Sequence, residues 1–313
     1  MAKQLTSSVP LPEFPFEITH QDEIYSLGSC FSEHIGSLLK NLWFPIQVNP
    51  FGTLFNPLSI LHILERSFQL DLFTEESIQE HNGLYFLWET HGRISDTQPA
   101  KVLERANQEL TALHNFLQKG NYMLITFGTS FYFEHHSLGK IVANCHKQPQ
   151  DWFTRKRANS SEIALKYLAF TEKVQKLNPH LKFIFTVSPV RHARDGFVAN
   201  NRSKAELLLA IEQIEAQPNN FYFPSYEIQM DELRDYRFYA DDLLHPSPLA
   251  IELIFEKFKQ SILGIATTNF IEEISKINAQ EAHRPMFPEL PETKHAEEKL
   301  KEKKAQLQGK IWG

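Results

Sequence analysis

One pattern constrains the fold of this chain more than any other: a short apolar run, a polar turn, then a stretch with apolar residues at helical spacing. Ile24, Tyr25, Ser26 and Leu27 form such a run, stopped at Gly28. Residues 31–42 follow, with Phe31, Ile35, Leu38, Leu39 and Leu42 on one helical face. Residues 122–127 and 181–187 are likewise short, almost wholly apolar and β-branched or aromatic in character, as strands are when covered on both faces. Between them residues 161–177 predict a helix ended by Asn178-Pro179, and further helices are expected over 203–214 and 248–263. Strands alternating with helices predict an α/β domain on a mainly parallel sheet, with the three apolar runs as neighbouring inner strands.

The aromatic-rich stretches 83–88 and 131–141 break this rhythm and are expected as insertions or hairpins over one end of the sheet. Past Thr267 the composition changes. Residues 271–278 predict one more short helix, a Pro-punctuated segment covers 284–291, and 297–304 are dense in Lys and Glu, as solvated helices or tails are. The chain therefore divides into a main domain, residues 1–265, and a helical, charged extension, residues 266–313, whose run after Pro291 is expected outside the main core. No internal repeat and no glycine-rich phosphate loop is present.

Composition narrows the function classes. A chain of 313 residues, 42% hydrophobic, can bury a large core, and a formal charge of -6 with dense basic runs only in the tail gives no reason to expect nucleic acid. Residues 1–20 are rich in Pro and polar residues, which is neither a signal peptide nor an anchor, and no stretch reaches the ~18 apolar residues of a membrane helix. Two cysteines, Cys30 and Cys145, make no disulfide scaffold and point to a reducing compartment, so the expected location is cytoplasmic. With no Cys-x-x-Cys and no His-Glu-x-x-His, no metal is expected, and no cofactor.

In parallel α/β sheets ligands bind beyond the carboxyl ends of the strands, where loops feed helix N-termini. Gly28-Ser29-Cys30 stands at such a place. The glycine permits a tight turn, and a thiol at a helix start meets unpaired N–H groups that lower its pKa below the ~8.5 of a free cysteine. Against this stands the common fate of free cysteine as a small buried hydrophobe. A second feature is Asp242-Leu243-Leu244-His245-Pro246. An Asp three residues before a His can orient the imidazole through one ring nitrogen and leave the other as a base. The plainer alternative makes both residues helix-cap and turn formers.

Leu27-Gly28-Ser29-Cys30-Phe31-Ser32 resembles the motif that names the GSCFA family, with Ser32 in place of the final alanine. Asn49-Pro50-Phe51-Gly52-Thr53, Val142-Ala143-Asn144-Cys145-His146-Lys147, and Ser188-Pro189-Val190-Arg191-His192 running on to Asn201-Arg202-Ser203-Lys204 also resemble that family, over residues 24–258. The resemblance implies a relation to SGNH, or GDSL-like, hydrolases: a flavodoxin-like three-layer α/β/α sandwich and ester chemistry. On it, Cys30 falls at the nucleophile position, with Ser29, one residue out of register, as the minor alternative. Asp242 and His245 match the Asp-x-x-His block. Gly52 matches the glycine whose N–H serves the oxyanion hole, together with the N–H of Cys30. Gly128-Thr129-Ser130 falls where a Gly-x-Asn block is expected, so Ser130 replaces the oxyanion-hole Asn, and Ser130 or Asn144 is left to supply that donor. Losing one such donor costs ~10²–10³ in rate in well-studied enzymes.

Of the remaining candidates, His146 is expected to line a pocket, and Cys145 to be a buried strand residue. Arg191 and His192 follow the apolar run 181–187 as candidate substrate-binding residues, where Arg191 can hold a substrate carboxylate or phosphate, or pair with Asp195 or another loop carboxylate. Asn201, Arg202 and Ser203 have the character of helix caps, and Phe131 to Phe133 that of an apolar acyl pocket. The expected function is hydrolysis of an acyl or acetyl ester, on a small molecule or glycan, by a Cys-His-Asp mechanism. An acyltransferase or thioesterase is the alternative among enzymes. A catalytically reduced domain binding a glycan or an acylated ligand is the alternative outside them. Oligomeric state is not encoded in any feature of the sequence.

Overall fold

A computed structural model describes residues 7–313; the first six residues of the polar N-terminal stretch lie outside the described residues. Five parallel strands make the central sheet: β1 (Ile24–Gly28), β2 (Ile46–Val48), β5 (Tyr122–Phe127), β9 (Lys182–Val187) and β10 (Asn220–Tyr222), in the order β2-β1-β5-β9-β10. Counting sheet strands alone, this is 2-1-3-4-5, the flavodoxin-like order, whose direction of winding reverses between β1 and β5. The three apolar runs are neighbours as expected: Ile24 pairs with Tyr122 and Gly28 with Thr126, and Leu124 pairs with Ile184.

Alternation of side chains accounts for two buried faces. Tyr25, Leu27, Met123, Ile125, Phe127, Phe183, Phe185 and Val187 point to one core, filled from α2 (Pro57–Gln69), α3 (Pro99–Lys119), α4 (Ser160–Leu177) and α5 (Gly196–Ile214). Ile24, Tyr122, Leu124 and Ile184 point to the other, against α1 (Cys30–Asn41) and α7 (Pro248–Ile262). Helices on both sides make a three-layer sandwich. Each face must be apolar, so the inner strands carry no polar alternation.

The aromatic stretches form the expected additions. The hairpin β3–β4 (Gln79–His81, Leu84–Phe86) and an antiparallel sheet of β6 (Phe131–His135), β7 (Lys140–Val142) and β8 (Phe153–Arg157) share a small core of Phe86, Trp88, Val142 and Phe153. A single helical turn, α6 (Ser225–Glu227), precedes α7. Beyond it, α8 (Ile265–Ala282) is longer than the expected 271–278, because Thr267 and Ile271 are already buried. The charged run belongs to α9 (Pro291–Trp312). That helix is mostly exposed but buries Leu307 and Ile311 against Ile274 and Ile277, beside Leu42 and Trp43 of the main domain. Among the described residues no helix is long and apolar enough to cross a membrane.

Candidate active site

The carboxyl ends of β1 and β5 meet the switch point of the sheet, and the chain leaves β1 through Gly28. Its φ of +142° and the 2.2 Å that would separate a Cβ from the Thr126 carbonyl oxygen both require glycine. Ser29 caps α1 in extended geometry, which makes Cys30 the first helical residue. Asn49, wholly buried, braces this turn: its Oδ1 accepts from the Gly28 N–H at 2.9 Å and from Ser32 Oγ at 3.2 Å. Ser32 Oγ also reaches the Ser29 carbonyl at 2.7 Å, a bond that the usual alanine of the motif cannot make. The Ser29 hydroxyl is buried with no hydrogen-bond partner among the described residues.

Cys30 is half-buried, and burial pushes its thiol pKa up from the ordinary value, contrary to the expected lowering. The backbone N–H groups of Cys30 and Phe31 and the charge of Lys204 pull the other way, and Glu33 adds to the rise. The helix start does act on the thiol; desolvation outweighs it.

Asp242 and His245 occupy one turn just before α7. Asp242 Oδ1 accepts from the Leu244 and His245 N–H groups at 2.9 and 3.0 Å, and Oδ2 lies 2.6 Å from His245 Nδ1. These bonds hold the Asp242 carboxyl down to about 2, the backbone donors contributing most. A carboxylate so fixed accepts a hydrogen bond from Nδ1–H and leaves Nε2 as the free nitrogen. The turn is tied to the rest of the sheet edge through Arg191, whose N–H donates to the Leu244 carbonyl at 3.0 Å. His192, next along, lies in the fields of both Lys204 and His245, and Lys204 in that of Cys30.

The expected oxyanion donors are placed unequally. The Gly52 N–H is spent on the Asn49 carbonyl at 2.8 Å. Its φ of +76° and tight approach to His91 make this glycine a turn former. Ser130 is fully buried, with its N–H and hydroxyl both on Ser203 Oγ at 2.8 and 3.1 Å. Asn144 lines a cavity of about 340 Å³ and accepts the His146 N–H on Oδ1. Thus Cys30 and Asn144 remain from the four.

That cavity is walled by Phe55, Phe131, Tyr132 and Phe133, which agrees with an apolar pocket around Phe131 to Phe133. His192 lines it too, its pKa lowered to about 4 chiefly by burial and then by Lys204. His146 is not part of that cavity's wall. Its Nε2 donates to the Leu87 and Thr90 carbonyls at 3.0 and 3.1 Å and its ring stacks on Phe86, which pins the 142–148 loop to the β3–β4 hairpin. Arg191 stacks on Phe197, and it is Arg155 that pairs with Asp195. Arg155 and Arg194 reach the cavity instead, unforeseen from sequence. Cys145 lies past the end of β7 and not within a strand, because positive φ at His146 and Lys147 turns the chain away. It is half-buried on the cavity wall, with its thiol pKa raised by burial. Cys145→Ala should therefore leave turnover nearly unchanged and cost about 1 kcal/mol or less. A collapse of turnover at unchanged Tm would move Cys145 into the catalytic set.

The segment Asn201-Arg202-Ser203-Lys204, expected before or at a helix start, is inside α5, which begins at Gly196. Asn200, Ser203 and Lys204 form a polar stripe on its inward face. Asn200 takes the His192 N–H at 2.9 Å, Ser203 holds Thr129 and Ser130, and Lys204 donates to the Gly128 and Ser188 carbonyls at 2.7 and 2.6 Å. Polar residues here face the strand ends, not solvent. Among the described residues no group of three or more His, Cys, Asp or Glu is placed to hold a metal ion.

The GSCFA family model matches residues 23–258. No curated protein sequence matches the chain. Among solved structures, an acetyl xylan esterase (Est2A) from the rumen bacterium Butyrivibrio proteoclasticus is similar at 13% identity and a TM-score of 0.33. The match covers 81% of this chain and 64% of that one, so the chain spans less than two thirds of its neighbour's length.

Proposed function

We propose, on the premise that the chain belongs to the GSCFA family, that it hydrolyses ester bonds of acylated small molecules or glycans by a covalent Cys-His-Asp mechanism. Cys30 attacks the acyl carbon, and its proton passes to His245, oriented by Asp242. An acyl-enzyme forms as the alcohol leaves with that proton, and water then releases the acid. The oxyanion is met by the Cys30 N–H at the start of α1 and by the Asn144 side chain. The acyl group lies in the cavity walled by Phe55, Phe131 and Phe133. The observation carrying this reading is the 2.6 Å bond of Asp242 to His245 Nδ1 within a turn that Arg191 joins to the sheet edge. A helix cap or surface turn needs no imidazole so held.

Transfer of the acyl group to another alcohol, or cleavage of a thioester, uses the same steps with a different partner. A binding domain with reduced catalysis is the second reading, favoured by the engagement of Gly52 and Ser130 within the protein. Short-chain acyl esters and thioesters offered to the protein should leave the mass of one acyl group on the Cys30 peptide. Absence of both adduct and turnover across the series would favour the binding domain.

A further inference from the structure

The cavity walled by Phe55, Phe131 and Phe133 also carries charge. Arg155 from β8, and Arg194 and Asp195 from the turn before α5, all line it. Asp195 pairs with Arg155, whereas Arg194 is exposed and has no carboxylate within ion-pair reach among the described residues. Both guanidinium groups rest on one ring, their central carbons 5.2 and 5.3 Å from the centre of Phe133, and that of Arg155 is also 4.4 Å from the centre of Phe131. Two cations so placed repel one another. Burial lowers the Arg155 pKa most, Asp195 raises it, and the charge of Arg194 lowers it again. The Arg155 Nε and the His192 Nε2 are both buried without a hydrogen-bond partner among the described residues. A buried donor left unmade is costly, and each such group calls for a partner. The other titratable groups of the wall supply no compensating anion. His192 has its pKa lowered to about 4 and is uncharged near neutrality, and burial raises the pKa of both the Cys145 thiol and the Tyr132 hydroxyl.

We propose that this cavity binds an organic carboxylate, held by Arg155 and Arg194 with its carbon chain against the rings of Phe131 and Phe133. A guanidinium presents parallel N–H donors that match the two oxygens of a carboxylate, and each bond gains from both charges. Charge selects among anions. Two arginines against one aspartate leave a single positive charge to neutralise, which one carboxylate does. A phosphate dianion overshoots that charge, is repelled by Asp195, and as the inorganic ion offers no carbon to the rings. With the acyl group in this cavity, the substrate class becomes the half-ester of a short dicarboxylic acid, its free carboxylate at the arginines and its ester at Cys30. That assignment rests on the proposed function; the binding of a carboxylate does not.

The test compares glutaramate, a non-ester mimic of such a half-ester with one carboxylate, with the uncharged glutaramide. Titration calorimetry on the full chain at fixed ionic strength should show glutaramate binding roughly tenfold or more tighter, as a charge-assisted hydrogen bond implies, and tighter than inorganic phosphate. In Arg194→Gln this preference should shrink by a similar factor. Arg194 is exposed, so the melting temperature of the variant should be nearly that of the unaltered chain. A second reading needs no variant. Cys145 lies on the same wall, in the field of both arginines, so glutaramate should slow its alkylation by iodoacetamide, followed by peptide mass. Equal binding of glutaramate and glutaramide, or no binding of either, overturns the carboxylate site. So does a preference undiminished in Arg194→Gln, tighter binding of phosphate, or a bound glutaramate that leaves Cys145 alkylation unchanged. A preference for glutaramate in a chain that turns over no ester keeps the site and removes the hydrolase reading. Turnover without the preference does the reverse.

Discussion

Cys30→Ala is expected to reduce acyl transfer to the uncatalysed background, with the melting temperature little changed. The substitution removes one sulfur from a half-buried position, and the brace of the turn does not depend on it. Asn49 holds the Gly28 N–H and Ser32 Oγ, and Ser32 holds the Ser29 carbonyl. What is lost is the atom proposed to attack. Cys30→Ser is the sharper experiment, because it keeps an attacking oxygen in the same place but one much harder to ionise than a thiol. If His245 takes the proton as the hydroxyl attacks, a measurable fraction of turnover survives in Cys30→Ser. If the enzyme depends on a preformed thiolate, Cys30→Ser falls nearly to the level of Cys30→Ala. Unchanged turnover in Cys30→Ala would remove Cys30 as the nucleophile. Ser29, its buried hydroxyl without a hydrogen-bond partner among the described residues, would then be the next candidate.

The parts of this molecule that the sequence discloses are those whose physics is local. β1, β5 and β9 are covered on both faces, so every position must be apolar and a short run is unmistakable. The outer strands β2 and β10 have three residues each and are partly exposed, and nothing in Ile46–Val48 or Asn220–Tyr222 separates them from loop. Asp242 and His245 are legible for a similar reason. Three residues apart, they are fixed by the turn between them. Asn49 acts on Gly28 from 21 residues away, and Lys204 on Gly128 from 76, so neither role can be read from its neighbours in the chain. The start of α5 was obscured by the same effect. Asn200, Ser203 and Lys204 have the composition of a solvated cap, yet they turn inward because strand ends and loops there offer unpaired N–H and C=O groups. Gly52 and Ser130 fall where the resemblance implies an oxyanion hole, but sequence position cannot say whether an N–H is already taken.

His245→Ala should lower turnover by ~10²–10⁴, the range for loss of a general base. The more telling variant is Asp242→Asn. The asparagine carbonyl can still accept from the Leu244 and His245 N–H groups, so the turn should persist, while the negative charge at Nδ1 is lost. If Asp242 only shapes the turn, Asn should be almost neutral. If it orients the imidazole and stabilises its charged form, Asn should cost nearly as much as His245→Ala, since the wrong tautomer places the proton on the nitrogen that must accept one. The pH dependence separates the roles further. Asp242 has its carboxyl pKa lowered to about 2, so it is ionised through the whole range in which the protein is assayed. Its pairing is thus fully present above the ordinary carboxylate range and is lost only as pH falls toward 2. The acid limb of the pH–rate profile accordingly belongs to another group. In the unaltered chain acidification should abolish turnover well above the pH at which Asp242 takes a proton. Turnover that stays intact in Asp242→Asn would reduce the pair to a surface turn and leave Cys30 without its base.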